Sequence, residues 1–177
     1  MRTSLGLLLA LGLLALGATG RAEPLAVGAQ APAVTGTTES GAKLDFAAVY
    51  PKGYTLVYFF PQAGSHDCTA EGCSLRDAYK ELSGKGVTVI GVSVDAKDVQ
   101  KTFKEKNQFP FELVADTDHA VIGAFGVPLS ERWGTGQRAM RQSFLVNKDG
   151  KIVWRDLNAS TKDQAADVLK ALKQLGS

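Results

Sequence analysis

The sequence predicts an α/β domain with a mixed β-sheet and helices on both faces of that sheet. Short β-branched and aromatic segments, typical of buried strands, alternate with longer segments whose apolar residues recur every three or four positions, as in amphipathic helices. Strands that are joined by helices pair in parallel, whereas an Asp-Gly turn between two late apolar runs predicts an antiparallel hairpin. Both kinds of pairing together define a mixed sheet.

The first predicted elements lead up to the first helix. Residues 25–38 are rich in Ala, Gly, Pro and Thr without clear periodicity, so we expect an arm laid over the domain. Residues 55–60 form a β-branched and aromatic run ended by Pro61, which predicts a buried strand. Residues 71–82 contain helix formers with apolar residues spaced for one face, which predicts an amphipathic helix.

The middle of the chain continues the alternation of strands and helices. Residues 87–94 are apolar on both faces and predict a central strand. Asp95 suits the N-cap of a helix that runs to about Asn107. Residues 111–115 predict a shorter strand, and residues 120–125 a short helix.

The carboxyl-terminal part predicts a loop, a hairpin and a last helix. Residues 130–140 contain Gly and Arg and are expected to form the loop. Residues 143–146 and 152–154 flank an Asn-Lys-Asp-Gly turn and predict the hairpin, while residues 162–175 carry one apolar stripe and predict the helix. This order of elements matches a thioredoxin-like fold, which by itself says little about chemistry.

The first 22 residues have the features of a secretory signal peptide. Arg2 precedes an apolar run over residues 5–16, and small residues follow up to Ala22. The run is shorter than the roughly 20 residues of a membrane-spanning helix, although an uncleaved anchor is the alternative. Cleavage after Ala22 would leave residues 23–177, of which residues 25–177 are predicted to form one domain, and indicates a periplasmic or secreted protein.

Charge excludes some partners. Removing 22 residues from 177 removes Arg2 and Arg21, so the 20 basic residues fall to 18, equal to the 18 acidic residues. A domain without net charge does not attract polyanions, so we expect no nucleic-acid partner. The remaining sequence has no apolar run long enough for a bilayer, so we also expect no stable membrane contact.

The two cysteines, Cys68 and Cys73, mark the candidate site. They lie near the start of the first helix, directly after a buried strand, where α/β sheets usually place ligands. The unpaired backbone N–H groups and the helix dipole at such a position favour a thiolate. Cys68 is therefore a candidate nucleophile that we expect to face solvent.

The spacing of the two cysteines limits disulfide formation. In an intact helix, Cα atoms five residues apart are separated by roughly 8.6 Å. A disulfide requires less than about 7 Å between Cα atoms. Cys68 and Cys73 can therefore bond only if the first part of the helix unwinds, which predicts local unfolding linked to oxidation.

The residues around the cysteines resemble those of a known family. Residues 61–68 read Pro-x-x-x-Ser-x-x-Cys directly after the strand, which resembles the peroxidatic loop of peroxiredoxins. The second cysteine five positions later, within residues 68–77, is similar to the bacterioferritin-comigratory-protein (peroxiredoxin Q) branch. Residues 141–150 are similar to a segment of that branch that begins with an active-site arginine. The resemblance covers most of residues 25–175.

The resemblance implies a role for each site residue. Cys68 would be the peroxidatic cysteine, oxidised by peroxide to a sulfenic acid, and Cys73 the resolving cysteine that forms an intramolecular disulfide with it. Ser65 would hydrogen-bond the peroxide, Arg141 would stabilise the thiolate and the developing charge, and Pro61 would shape and shield the pocket.

The resemblance also implies partners. A peroxide would be the substrate, and an external thioredoxin-like dithiol would be the reductant, in antioxidant defence. No bound cofactor would be required, and the protein would be a monomer.

Several charged residues are also expected near the two cysteines or in the loop before the hairpin. Glu71 either interacts with Arg76 along the helix or polarises the site, and the sequence leaves both open. Arg141 directly precedes a buried strand and is expected to point at the pocket, whereas Arg138 is expected to be a solvated surface residue.

Other functions compete with the peroxidase. The cysteine pair could form a structural disulfide in an oxidising compartment. With His66 and His119 it could instead bind a metal, as in an exported thioredoxin-like copper chaperone. A thiol-disulfide oxidoreductase is a further alternative, although the spacing differs from Cys-x-x-Cys and no Pro precedes the strand that begins after Arg141.

Overall fold

The fold is built around one five-stranded mixed sheet. The computed structural model describes residues 23–131 and 136–176, so the predicted signal peptide lies outside the described residues. The strand order is β5-β4-β3-β8-β9, in which β3, β4 and β5 are parallel and β8 and β9 antiparallel to their neighbours. These strands are β3 (Tyr54–Phe59), β4 (Val87–Ser93), β5 (Glu112–Ala115), β8 (Gln142–Val146) and β9 (Ile152–Asp156).

Helices cover both faces of the sheet, which confirms the predicted α/β architecture. They are α1 (Phe46–Val49), followed by a 3-10 turn (Tyr50–Lys52), α2 (His66–Asp77), α3 (Tyr79–Gly84), α4 (Lys97–Asn107), α5 (Ala120–Ala124) and α6 (Gln164–Gln174). Alternate residues of β3 point to opposite faces: Val57 packs with α1 and α5, whereas Leu56 and Tyr58 pack with α2, α3, α4 and α6.

Two short hairpins lie outside the central sheet. The first pairs β1 (Thr35–Thr37) with β2 (Lys43–Asp45), so the end of the predicted arm is a strand. The start of the arm lies on the domain as expected, with the Leu25 N–H donating to the carbonyl of Phe125. The second pairs β6 (Leu129–Ser130) with β7 (Arg138–Ala139), within the segment predicted as a loop.

Two local predictions around the first helix and the first crossover were wrong. The single predicted helix over residues 71–82 is two helices, α2 and α3, and α2 begins five residues early because Ser65 caps it. Asp95 does not cap α4, whose N-cap is Ala96. The Asp95 carboxylate is instead paired with Arg138, so Arg138 is not the solvated surface residue that the sequence predicted.

Within residues 23–131 and 136–176, no helix has the length and apolar character needed to cross a membrane.

Candidate active site

The loop between β3 and α2 forms one wall of the site. Gly64 has φ +79°, a left-handed conformation that glycine adopts without strain, and it precedes the helix cap. The Ser65 hydroxyl accepts a hydrogen bond from the Cys68 N–H at 3.4 Å and donates one to the carbonyl of Gln62 at 3.1 Å. The loop therefore fixes the first turn of α2 and the cysteine within it.

Arg141 forms the opposite wall because of the sheet register. β8 runs antiparallel to β3 with Gln142 opposite Phe59, so the preceding Arg141 reaches the end of β3 where the loop begins. Its Nη2 donates to Cys68 Sγ at 3.3 Å. A guanidinium at this distance stabilises a thiolate and negative charge that develops on an adjacent oxygen.

Glu71 lies behind the arginine, one turn along α2 from Cys68. Its carboxylate accepts a hydrogen bond from Arg141 Nη1, and its side chain is fully buried. Arg76 instead bonds Asp77 and the carbonyl of Asn107, so of the two roles that the sequence left open, the structure places Glu71 at the site.

Burial raises the pKa of Glu71 to about 8, and the Arg141 charge opposes this increase without cancelling it. Glu71 is the second hydrogen-bond partner of Arg141, so it helps to hold the guanidinium against Cys68 Sγ.

The two walls enclose an open cavity of about 350 Å³. Its lining residues come from the loop, the first turn of α2 and the segment before β8: Pro61, Gln62, Ser65, His66, Asp67, Cys68 and Arg141. The cavity thus brings together four of the five predicted site residues. The expectation that Cys68 faces solvent was wrong, because the residue is only 1% exposed; it nevertheless forms part of the cavity wall.

Cys73, the fifth predicted residue, lies outside this cavity. Both cysteines are free thiols, and Cys73 is half-buried against the apolar cluster under α2. Because both residues lie within one continuous helix, their Cα atoms are separated by roughly the helical distance of 8.6 Å. The intact helix therefore keeps them beyond disulfide range.

Tyr58 also lies near the site and was not among the predicted site residues. Its ring is fully buried, and the charges of Glu71 and Cys68 add to burial in raising the pKa of the phenol well above its usual value. Its hydroxyl has no hydrogen-bond partner among the described residues. The alternation of β3 alone would have placed Tyr58 on the face that α2 covers.

The metal-binding alternative gains no support from the described residues. No three His, Cys, Asp or Glu side chains of residues 23–131 and 136–176 are grouped to hold a metal ion. His66 lies at the cavity mouth, whereas His119 is the N-cap of α5 and is not part of the cavity wall.

A mixed sheet with a cysteine at the amino end of a helix and an arginine against its sulfur defines a thioredoxin-like thiol enzyme. Comparison with known proteins gives the family. The AhpC/TSA family matches residues 27–155, and the chain belongs to it.

The relatives place the chain in the Bcp/peroxiredoxin Q branch, as the motifs predicted. It is 32% identical over 128 residues to peroxiredoxin Bcp of Bacillus subtilis, covering 71% of this chain and 82% of the relative. It is 35% identical over 159 residues to a putative peroxiredoxin bcp of Haemophilus influenzae, covering 86% of this chain and 99% of the relative.

Solved structures of the same branch have a similar fold. A peroxiredoxin Q variant from Xanthomonas campestris superposes with a TM-score of 0.76 at 26% identity, covering 84% of this chain and 98% of that chain. The thioredoxin-like fold and the thiol-dependent peroxidase class are thereby confirmed. A peroxide substrate and a thiol reductant follow from that class.

Proposed function

We propose that this protein reduces hydrogen peroxide and organic hydroperoxides through Cys68 and regenerates the thiol through a disulfide with Cys73. One observation carries the proposal: the Arg141 guanidinium lies 3.3 Å from Cys68 Sγ, at the wall of a cavity large enough for a peroxide. A solved structure of the Xanthomonas campestris bacterioferritin comigratory protein, at 25% identity and a TM-score of 0.76, concerns alkyl peroxide reduction, which supports organic substrates here.

The first step is attack by the Cys68 thiolate on one peroxide oxygen. A sulfur–oxygen bond forms while the O–O bond breaks, and the second oxygen leaves as hydroxide or alkoxide, which takes up a proton to give water or an alcohol. Arg141 stabilises the thiolate and then the charge on the departing oxygen. Ser65, whose hydroxyl caps α2, hydrogen-bonds the peroxide, and Pro61 shields the pocket.

The second step joins the two cysteines. The Cys73 sulfur attacks the sulfenic sulfur of Cys68, the disulfide forms, and the hydroxyl leaves as water. An external thioredoxin-like dithiol then reduces the disulfide and is itself oxidised to a disulfide. Since α2 holds the sulfurs apart, this step requires α2 to unwind between them.

Paired serine substitutions in one helix test the proposal. Cys68→Ser is expected to abolish peroxide consumption, because it removes the nucleophile. Cys73→Ser is expected to allow one turnover, after which the unresolved sulfenic acid is oxidised irreversibly to sulfinic acid. Thiol titration and mass spectrometry after peroxide addition distinguish the two variants.

Two outcomes would contradict the proposal. Peroxide consumption by Cys68→Ser at the rate of the unaltered protein would exclude Cys68 as the nucleophile. Full cycling of Cys73→Ser with a dithiol reductant would show that Cys73 is not needed for resolution.

The proposed site of action is the periplasm or the exterior of the cell, with the protein acting as a monomer. The basic, apolar and small-residue regions of residues 1–22 support export. Amino-terminal sequencing of the exported protein is expected to find a start between Ala18 and Glu23. Recovery of the full-length chain in the cytoplasm would contradict export.

A further inference from the structure

We propose that Asp95 and Arg138 are positioning residues that keep the two walls of the peroxide cavity, the loop with Ser65 and the segment with Arg141, aligned with each other. Neither residue lines the cavity, and neither is expected to touch the peroxide. The inference rests on the proposed peroxidase function, because it concerns how the Ser65 and Arg141 sides of the site are kept aligned.

The Asp95 carboxylate holds the loop wall directly. Its Oδ2 accepts the backbone N–H of Ala63 at 2.7 Å, in the middle of the loop between Pro61 and Ser65. The next contact along the loop runs from Ser65 to the carbonyl of Gln62, immediately before Ala63. Asp95 therefore fixes the part of the loop on which the Ser65 hydroxyl depends.

The same carboxylate holds the arginine wall. Asp95 Oδ1 accepts from Arg138 Nη1 at 2.9 Å, and Arg138 lies in β7, three residues before Arg141. Between the two arginines, the Met140 N–H donates to the carbonyl of Pro128. One carboxylate thus binds both segments that supply the donors of the cavity.

A rigid base supports this carboxylate. The Ser93 hydroxyl, at the end of β4, donates to Asp95 Oδ2 at 2.8 Å and accepts from Gln100 Nε2 at 2.8 Å. Gln100 is fully buried in α4 and also donates to the carbonyl of Val114 in β5. The carboxylate is therefore tied to two strands and a helix of the core, and it does not follow the loop if the loop shifts.

Both charges of the pair are well shielded from water. The Asp95 side chain is 9% exposed and that of Arg138 is 15% exposed. Removing one partner from such a pair leaves the other charge uncompensated, so the segment carrying it rearranges towards solvent. Rearrangement here moves the donors of the cavity without removing any of them.

Peroxide and alkylating reagents make different demands on the site. Peroxide reduction requires donors aligned on the substrate oxygens, and small displacements of such groups lower rates strongly. Alkylation by iodoacetamide requires an accessible thiolate and no aligned donors. The ratio of the two rates at Cys68 therefore reports alignment separately from thiolate formation and from stability.

The experiment measures both rates in Asp95→Asn, Arg138→Met and Arg138→Lys, with alkylation mapped to Cys68 by mass spectrometry. Glu39→Gln is the matched control: Glu39 is similarly buried, binds one lysine (Lys104) and one backbone N–H, and lies away from the loop. It reproduces the cost of neutralising a shielded carboxylate without touching the cavity walls.

We expect Asp95→Asn and Arg138→Met to lower the rate with hydrogen peroxide by about tenfold or more, while alkylation stays within about twofold of the unaltered protein. Arg138→Lys keeps the charge and is expected to recover most of the rate. Glu39→Gln is expected to change neither rate. The double variant is expected to lose no more than the more affected single variant, because both changes break one contact.

The proposal is overturned if both rates stay unchanged, if both fall by the same factor, or if Glu39→Gln loses peroxide reactivity to the same extent. If Asp95→Asn does not fold, Arg138→Met, in a short hairpin outside the central sheet, carries the test. A failure of the proposed function is visible separately, since the unaltered protein would then react with peroxide no faster than Cys68→Ser.

Discussion

The two cysteines lie in the same helix, yet their surroundings differ strongly. Cys68, in the first turn of α2, is buried in the wall of an open cavity and receives a hydrogen bond from Arg141. Cys73, in the third turn, is half-buried against apolar side chains and lies outside that cavity. In the proposed mechanism, the first turn carries the thiol that reacts with peroxide, and the third turn carries the thiol that forms the disulfide with it.

This difference shows why the helix itself matters for the reaction. An intact α2 completes the cavity by fixing Cys68, but it also keeps Cys73 beyond bonding distance. In the proposed mechanism, the same turns must be folded for the first step and unwound for the second. Changes at Arg141 and Glu71 disturb the surroundings of Cys68, and a change at Gly72 disturbs the helix segment between the two cysteines.

The largest effect is expected at the guanidinium. Arg141→Met removes the donor to Cys68 Sγ and is expected to slow oxidation of Cys68 by hydrogen peroxide by about 100-fold, the usual cost of losing one preorganised donor. Stopped-flow measurement of the reaction gives this rate. Arg155→Met is the matched control, because Arg155 is a partly buried arginine whose hydrogen bonds, among the described residues, go to the carbonyls of Pro24 and Leu25.

Equal rates for Arg141→Met and Arg155→Met would remove the distinction between the two turns of α2. Cys73 would then be as plausible a first target of peroxide as Cys68.

A smaller, pH-dependent effect is expected at Glu71. Since the pKa of Glu71 rises from 4.5 to about 8 on folding, the folded protein holds this proton more tightly than the unfolded chain. Stability from this group is therefore greatest below about pH 4.5 and is lost as the pH rises to about 8. Glu71→Gln cannot ionise, so its stability is expected to fall less between these pH values.

Denaturant unfolding of the reduced protein near pH 5 and near pH 8 gives the loss of unfolding free energy between the two pH values. We expect this loss to be larger in the unaltered protein than in Glu71→Gln by at least about 1 kcal/mol. Glu105→Gln, with a carboxyl that is 67% exposed on α4, is the control and is expected to follow the unaltered protein. A Glu71→Gln variant with an unchanged pH dependence would show that the buried carboxyl is not the proton-holding group.

The smallest effect is expected at Gly72, between the two cysteines. A Cβ there would clash with Phe109 Cζ, and that ring is stacked on Phe111 and cannot move freely. Overpacking of this kind costs about 1–3 kcal/mol, while Ala gains about 1 kcal/mol over Gly in a helix interior. Gly72→Ala is therefore expected to lower the free energy of unfolding slightly.

Gly123→Ala, in α5, is the control for Gly72→Ala, since nothing lies within 4 Å of its Cβ position. It is expected to be neutral or stabilising in the same denaturant experiment. If Gly72→Ala were as stable as this control, the packing against Phe109 would not restrain the segment between the cysteines.

The sequence predicted those features that depend on neighbouring residues. The strands of the central sheet are short apolar runs, so composition alone located them. The positions of Ser65 and Cys68 relative to the strand end are local too. The early start of α2 was missed because residues 66–70 lack an apolar stripe.

Features that depend on distant residues were not predicted. Glu71 and Arg141 are 70 positions apart, so only the antiparallel register of β8 on β3 reveals their contact. Asp95 has the residue type of a helix cap, but Arg138, 43 positions later, and the loop N–H compete for its carboxylate. A single sequence carries no signal for such pairs, because either partner alone suits a solvated surface.

Hydrogen exchange over residues 67–75, compared between the dithiol and disulfide forms, tests most directly whether α2 must unwind to join its two cysteines. Strand β4, an interior strand of the sheet, provides the internal reference in both forms. We expect slow exchange of residues 67–75 in the dithiol form and a marked loss of protection in the disulfide form, with β4 unchanged. Equal protection of residues 67–75 in the two forms would contradict it.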